Sequence, residues 1–212
     1  MANKEGTHVL VFNGEIFNAP ELRMELEAKG VQFDSGHSDT EVILRMYDAE
    51  GPDMVARLNG MFAFIVYDAI RGKLFGARDR FGIKPLYYQH NGGSFAFASE
   101  LKSLMQLPGF SLGLDTESLW HYLSLLYVPG AKTICEGVHR LQPGQSIEYD
   151  LCENQVKIEQ WWRLEPKPIY GRSERDWAAE LRERLSAAVR RWCMSDVPIA
   201  CSLSGGIDSS AI

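Results

Sequence analysis

MFAFIVYDAIRGKLFGARDRFGIKPLYYQHNGGSFAFAS (61–99) alternates apolar runs with short breaks of glycine and charged residues. The runs MFAFIVYD (61–68), KLFGARD (73–79), PLYYQ (85–89) and SFAFAS (94–99) have strand composition, and AIRG, RFGIK and HNGG between them read as turns. The pattern predicts an antiparallel meander. Small apolar and aromatic residues fall on both faces of these strands, so the sheet is expected to be covered twice, by helices on one side and a second sheet on the other. A layered α+β domain follows.

Upstream, His8 to Phe12 form a short strand-like run ending at Asn13-Gly14, and Glu15, Ile16 and Phe17 resume it, as a hairpin would. Asn18 is placed to cap a helix with Pro20 in its first turn, Leu22 and Leu26 on one face and Gly30 at its close. Ser38 or Asp39 can cap a second helix, with Val42, Ile43, Met46 and Tyr47 at helical spacing and Gly51 as its stop.

Downstream, helical spacing returns at Leu119, Tyr122, Leu123 and Leu126, and YVPGAKTICEGVHRLQPGQSIEYD (127–150) reads as short strands and turns. RLEPKPIYGRSE (163–174) has linker composition, and a long amphipathic helix carrying Trp177, Leu181, Leu185, Ala188 and Trp192 follows it. Its cap is Ser173, answered by Asp176 three residues on. A buried strand, Val197 to Leu203, is then expected to run into SGGIDSS (204–210) and a helix start. That turn can aim backbone N–H groups at an anion. Glycines 205 and 206 permit close approach, Ser204, Ser209 and Ser210 offer hydroxyls, and Asp208 is a candidate Mg²⁺ ligand. A Walker A loop is excluded, because no Gly-Lys-Ser/Thr ending is present.

The 212 residues carry a formal charge of -6, with no basic stripe for nucleic acid. The longest apolar runs are too short to span a bilayer and MANKEG lacks signal-peptide character, which points to the cytoplasm. Cys135, Cys152, Cys193 and Cys201 have neither zinc-site nor disulfide spacing and read as reduced. The histidines are scattered, with surface or capping roles expected. Arg78, Asp79, Arg80 and Lys84 are expected to form a charge network locking a turn, with Gly82 at positive φ, and Trp161-Trp162 to pack a domain boundary.

LVFNGEIFN (10–18), SDTEVIL (38–44), RLNGMFAF (57–64), ARDRFGIKPLYY (77–88), FAFASELKSL (95–104), GVHRLQPG (137–144) and SDVPIACSLSGGIDSS (195–210) resemble, in order and spacing, the glutamine-dependent asparagine synthetases. The resemblance covers nearly the whole chain. It implies a four-layer α/β/β/α sandwich of antiparallel sheets, of N-terminal-nucleophile glutaminase type and lacking its first strands, over residues 1–162. A linker at 163–172 and the first helix, strand and phosphate loop of an ATP-binding α/β synthetase domain at 173–212 complete the expectation.

In that family a terminal cysteine attacks glutamine, and the released ammonia amidates aspartate activated by ATP with Mg²⁺. The resemblance gives the oxyanion donors as the Asn13 side chain and Gly14 N–H, with Glu15 beside the amide end of the glutamine pocket and Asp39 on the α-ammonium. It assigns Leu203, Ser204, Gly205, Gly206, Asp208, Ser209 and Ser210 to ATP pyrophosphate, and leaves a homodimer open. On the residues alone, Asn-Gly is equally a type I′ turn and Ser-Asp equally a helix cap. Family members begin Met-Cys-Gly and include an early arginine for the glutamine carboxylate, whereas this chain begins Met-Ala-Asn. The expectation is a piece of such an enzyme, inactive alone. Two alternatives stand: a relative with another acceptor, β-lactam-forming or amidating peptides or sugars, and a non-catalytic glutamine-binding module.

Overall fold

The computed structural model describes residues 1–195 and 197–211. Asp196 and Ile212, at the edges of the expected strand and helix, lie outside them. Two units divide the chain, Met1–Arg163 and Leu164–Ile212.

In the first unit, β1 (His8–Ile16), α1 (Ala19–Ala28), α2 (Asp39–Glu50), a 3-10 turn (Gly51–Arg57), β2 (Gly60–Asp68) and β3 (Lys73–Arg78) come first. They are followed by β4 (Tyr87–Asn91), β5 (Ser94–Ala98), α3 (Leu101–Leu104), α4 (Thr116–Leu125), β6 (Val138–Arg140), β7 (Gln145–Asp150) and β8 (Gln155–Gln160). A five-stranded sheet has the order β1-β2-β3-β7-β8, and a three-stranded sheet the order β5-β4-β6; every pairing is antiparallel.

Period-two alternation explains the layers. Leu10 and Ile16 of β1 and Phe62, Phe64 and Val66 of β2 pack against Leu22, Leu26, Val42, Ile43 and Met46 of the helices. Ala63, Ile65 and Ile147 point the other way, onto Leu86, Tyr88 and Leu141 around the second sheet. Behind that sheet, Val138 meets Leu104 and Cys135, forming a thin fourth layer. At roughly 1.5–3 kcal/mol for each large side chain buried, these three clusters hold the sandwich together.

Several expectations need correction. Asn13-Gly14 is not a hairpin corner: β1 runs straight through it, in register with β2 from His8↔Asp68 to Ile16↔Gly60. The alternation through Leu10, Phe12 and Ile16 dominates over the turn signal. The meander also breaks after β3, because residues 79–86 carry the chain into the other sheet and β7 takes the place beside β3. Among the described residues no ion pair joins Arg78, Asp79, Arg80 and Lys84 across that crossover. Arg78 donates to the carbonyls of Lys84, Leu141 and Gly82, Arg80 to those of Leu58 and Ala56, and Asp79 accepts backbone N–H groups, so these three ions bond to main chain. Gly82 does take a positive φ of 66°.

Asn18 does not cap α1 with its side chain, which instead bridges Arg57 O and Asn59 N. His8 is neither surface nor cap. It is buried, with Nδ1 2.6 Å from Asp48 and Nε2 3.4 Å from Asp68. Strand β8 lies beyond the expected strands, although Val156 and Ile158 carried its alternation. Trp161 stacks on Phe62 in the helix-side core.

In the second unit, α5 (Glu174–Trp192) opens on the Ser173–Asp176 capping box and has no buried residue. The expected strand 197–203 is absent, since a strand needs a neighbour to bond and none is present among the described residues. A five-residue helix, α6 (Ile207–Ala211), ends the description.

Candidate functional site

β1 is an edge strand, so half of its backbone groups face away from β2. Which half follows from Phe62, the partner of Gly14. Its N–H donates to Asp79 Oδ2 at 3.2 Å and its C=O accepts from Asp79 N at 2.8 Å, both on the side away from β1. In an antiparallel ladder a facing pair exchanges two hydrogen bonds or none. Gly14 therefore directs its N–H and C=O outward, to the open edge. The same phase is visible at Leu10, whose N–H bonds Met1 O, and at Ile16, whose N–H bonds Asp39 Oδ2 at 3.2 Å.

Asn13 sits on the inter-sheet face, with Glu15 on the same face two residues on. Its Nδ2 donates to Ser99 Oγ at 3.3 Å, at the end of β5, which leaves the second amide hydrogen unassigned. Beside it lies a pocket of about 170 Å³, lined by Val11, Asn13, Ala63, Leu86, Phe97 and Ser99 among others. Gly14 is the residue the edge requires: its φ is +153°, and a Cβ there would lie 2.1 Å from Met61 O.

Asp39 begins α2, where Ser38 Oγ caps Glu41 N at 3.3 Å. Its carboxylate accepts from Ile16 N and Thr40 Oγ1 and keeps acceptor capacity to spare. Ile16 and Gly14 are two residues apart on one edge, about 7 Å along an extended strand. An outward N–H beside a carboxamide can hold a developing oxyanion, and the carboxylate farther along can hold a cation.

Glu41 fixes the loop that leads into Asp39. Burial alone would raise its pKa, but bonds from Ser35 Oγ and from the N–H groups of Asp34 and Ser35, with the Arg45 charge, outweigh it and bring the pKa down to about 2. A depressed carboxyl pKa contributes stability that is complete above the ordinary value near 4.5 and lost as pH falls through about 2. Urea unfolding between pH 5 and pH 2 should therefore show a decline that Glu41→Ala removes, with that variant about 3 kcal/mol less stable at pH 7. An identical pH slope in both proteins would contradict the assignment.

None of the four cysteines lines the pocket. Cys135 is buried behind the second sheet, where desolvation pushes its thiol pKa up; the other three are exposed. At the far end, Ser204 Oγ and Ser209 Oγ bond each other at 2.9 Å, Gly205 has a φ of +80°, and Leu203, Asp208 and Ile207 are exposed. The hydroxyl and glycine donors suit a phosphate, and here Ser209 Oγ also donates to Gly206 O at 3.2 Å. Asp208 alone does not make a Mg²⁺ site, which takes several oxygen ligands.

Residues 1–162 match the family model described as a glutamine amidotransferase domain. The chain belongs to this family. Residues 180–212 also match the model described as asparagine synthase. The chain is 38% identical over 211 residues to asparagine synthetase [glutamine-hydrolyzing] 3 of Bacillus subtilis, covering 99% of this chain and 34% of the relative. With a putative asparagine synthetase 2 of Methanocaldococcus jannaschii it shares 35% identity over 207 residues, covering 96% of this chain and 39% of the relative. The chain thus spans little more than a third of these relatives.

In fold, the amidotransferase domain is similar to the glutamine phosphoribosylpyrophosphate amidotransferase of B. subtilis, with a TM-score of 0.52 at 19% identity over 76% of this chain and 31% of that one. The shared architecture is an antiparallel α+β sandwich. Among the described residues no helix is long and apolar enough to cross a membrane. The contacts of Ser99 with Asn13 and of the Ile16 N–H with Asp39 were not readable from the sequence, because each joins distant segments.

Proposed function

We propose that this chain carries the glutamine-binding part of an asparagine synthetase, which takes ammonia from glutamine and transfers it to aspartate. The observation that supports this most is the β1 edge: Gly14 N–H directed outward, the Asn13 amide beside it, and Asp39 on Ile16 N–H farther along. The spacing suits glutamine bound along the edge. Its α-ammonium pairs with Asp39, its side-chain amide lies by Asn13 and Gly14, and Glu15 borders the amide end.

When a thiolate attacks the amide carbon, negative charge develops on the carbonyl oxygen. Gly14 N–H and Asn13 Nδ2 stabilise it there, a contribution of about 3 kcal/mol per donor in comparable sites. Ser99 Oγ holds the carboxamide with Nδ2 toward the pocket. The attacking thiol is not one of the four cysteines of this chain, so binding without ammonia release is expected. ATP with Mg²⁺ supplies activation of the aspartate carboxylate in the complete reaction, with Leu203 to Ser210 as the phosphate loop; a homodimer belongs to the same reading.

Calorimetric titration with L-glutamine tests it. Asp39→Asn keeps an acceptor for Ile16 N–H but removes the charge, and is expected to weaken binding at least tenfold, as for loss of one charge-assisted bond. Equal affinity in the two proteins contradicts the pose. Ammonia release well above a protein-free blank contradicts the assignment of the thiol elsewhere.

A further inference from the structure

Strand β8 forms one edge of the five-stranded sheet, and among the described residues no strand lies beyond it. The phase of its backbone is fixed at both ends of the β7–β8 ladder. Gln145 faces Gln160, and one step on Trp161 N–H bonds Gly144 O at 2.9 Å, toward β7. At the other end Leu151 N–H bonds Gly72 O at 3.0 Å, toward β3, so Asp150 beside it turns to β8 and meets Gln155. Backbone groups alternate sides along a strand. Gln155, Lys157 and Glu159 therefore bond β7, while Val156, Ile158 and Gln160 direct N–H and C=O to the open edge.

The side chains alternate between the two faces. Val156 packs into the inter-sheet cluster, and Ile158, on the same face, is 39% exposed. Lys157 and Glu159 lie on the opposite face, where they pair with each other at 2.7 Å and leave 67% and 61% of their side chains exposed. A lysine on an edge strand ordinarily keeps a second strand away. Here the glutamate two residues on removes that protection against one partner.

That partner is a second copy of the chain, turned about a two-fold axis at Ile158. Ile158 then faces Ile158 of the second copy and Val156 faces its Gln160, so the outward N–H and C=O groups of all three meet their counterparts in phase. Lys157 lies directly opposite Glu159 of the second copy, and Glu159 opposite its Lys157. These are the non-hydrogen-bonded pairs, whose side chains approach most closely and in which opposite charges attract. The two neighbouring registers, centred on Lys157 or on Glu159, set lysine against lysine or glutamate against glutamate. The charges thus select the register that also pairs every outward residue.

We propose that β8 is a self-association edge, at which two copies of this chain pair antiparallel about Ile158 and join their five-stranded sheets into one. Strand β1, which carries Asn13 and Gly14, is the opposite edge of the same sheet, so the two surfaces do not compete. The proposal gives a homodimer a definite surface and register, and it stands without the glutamine reading, because neither its argument nor its test passes through glutamine binding.

Sedimentation equilibrium of the whole chain should show monomer and dimer in exchange, with dimer prevailing at a concentration on the order of 100 μM. Lys157→Glu and Glu159→Lys each set like charges opposite one another across the axis, and each should weaken the dimer about tenfold or more. An equimolar mixture of the two variants should regain the parent's affinity, because the acidic edge of one then meets the basic edge of the other. That recovery also shows that both variants fold. A parent chain still monomeric at about 1 mM overturns the proposal. So does a dimer that neither substitution weakens, or a mixture that associates no better than its components. Assembly that grows beyond a dimer overturns it too, since β8 would then be meeting a different edge in an arrangement that does not close.

Discussion

Replacing Asp79 by alanine is expected to lower the unfolding free energy of the amidotransferase domain by about 4 kcal/mol, the largest effect of any single substitution considered. Asp79 is 1% exposed, and its carboxylate accepts from four backbone N–H groups: Phe62 at 3.2 Å, and Phe81, Ile83 and Lys84 at 3.0 Å. Its own N–H bonds Phe62 O, and its C=O accepts from Gly82 and Gly144. One side chain thus ends the β2–β3 ladder and shapes the crossover to the second sheet. Alanine leaves those donors without their acceptor, and where they remain buried each costs a fraction of the full penalty. Asp79→Asn, retaining one acceptor oxygen, should lose about half as much. Urea unfolding measures both, and a loss below 1 kcal/mol for alanine would mean that the crossover is held by other bonds.

Gly14→Ala should be nearly as severe, at about 3 kcal/mol, and should lower the melting temperature by roughly 6–12 °C for a domain of this size. The added Cβ would meet Met61 O at 2.1 Å and Phe62 Cα at 2.7 Å, both backbone atoms of the paired strand. Neither can swing aside as a side-chain tip could, so β1 and β2 must part. The φ of +153° adds a strain that only glycine escapes. Parting the strands at this point also turns the outward N–H and displaces Asn13, so glutamine binding should fall with stability. A melting temperature within 2 °C of the parent would show that the strands are less closely apposed.

Much of the sandwich was legible because its strands alternate cleanly. MFAFIVYD puts Phe62, Phe64 and Val66 on one face and Ala63 and Ile65 on the other, and the structure buries both faces as that pattern requires. The Asn-Gly turn was misread because a two-residue signal was set above the strand period. A turn needs strands that fold back on each other, and β1 is paired along its length with β2 instead. Asn18 and His8 were misassigned for another reason: Asn18 bonds Arg57 and Asn59, and His8 meets Asp48 and Asp68, about 40 to 60 residues away in sequence and beyond any local pattern. The strand expected at 197–203 failed through lack of a neighbour, since composition gives a strand's faces but not its partner. Asn13, Gly14 and Asp39 came from resemblance, and the geometry supplies what motifs could not: which way the Gly14 N–H points.

That direction is the central claim, and nuclear magnetic resonance of the amide-labelled chain tests it most directly. On titration with L-glutamine, the Gly14 backbone amide and the Asn13 side-chain amide should move together, with Ile16 following through Asp39, and in Asp39→Asn the same shifts should need at least tenfold more glutamine. Saturating glutamine that leaves the Gly14 and Asn13 signals unmoved, or moves only residues away from the β1 edge, would contradict the account.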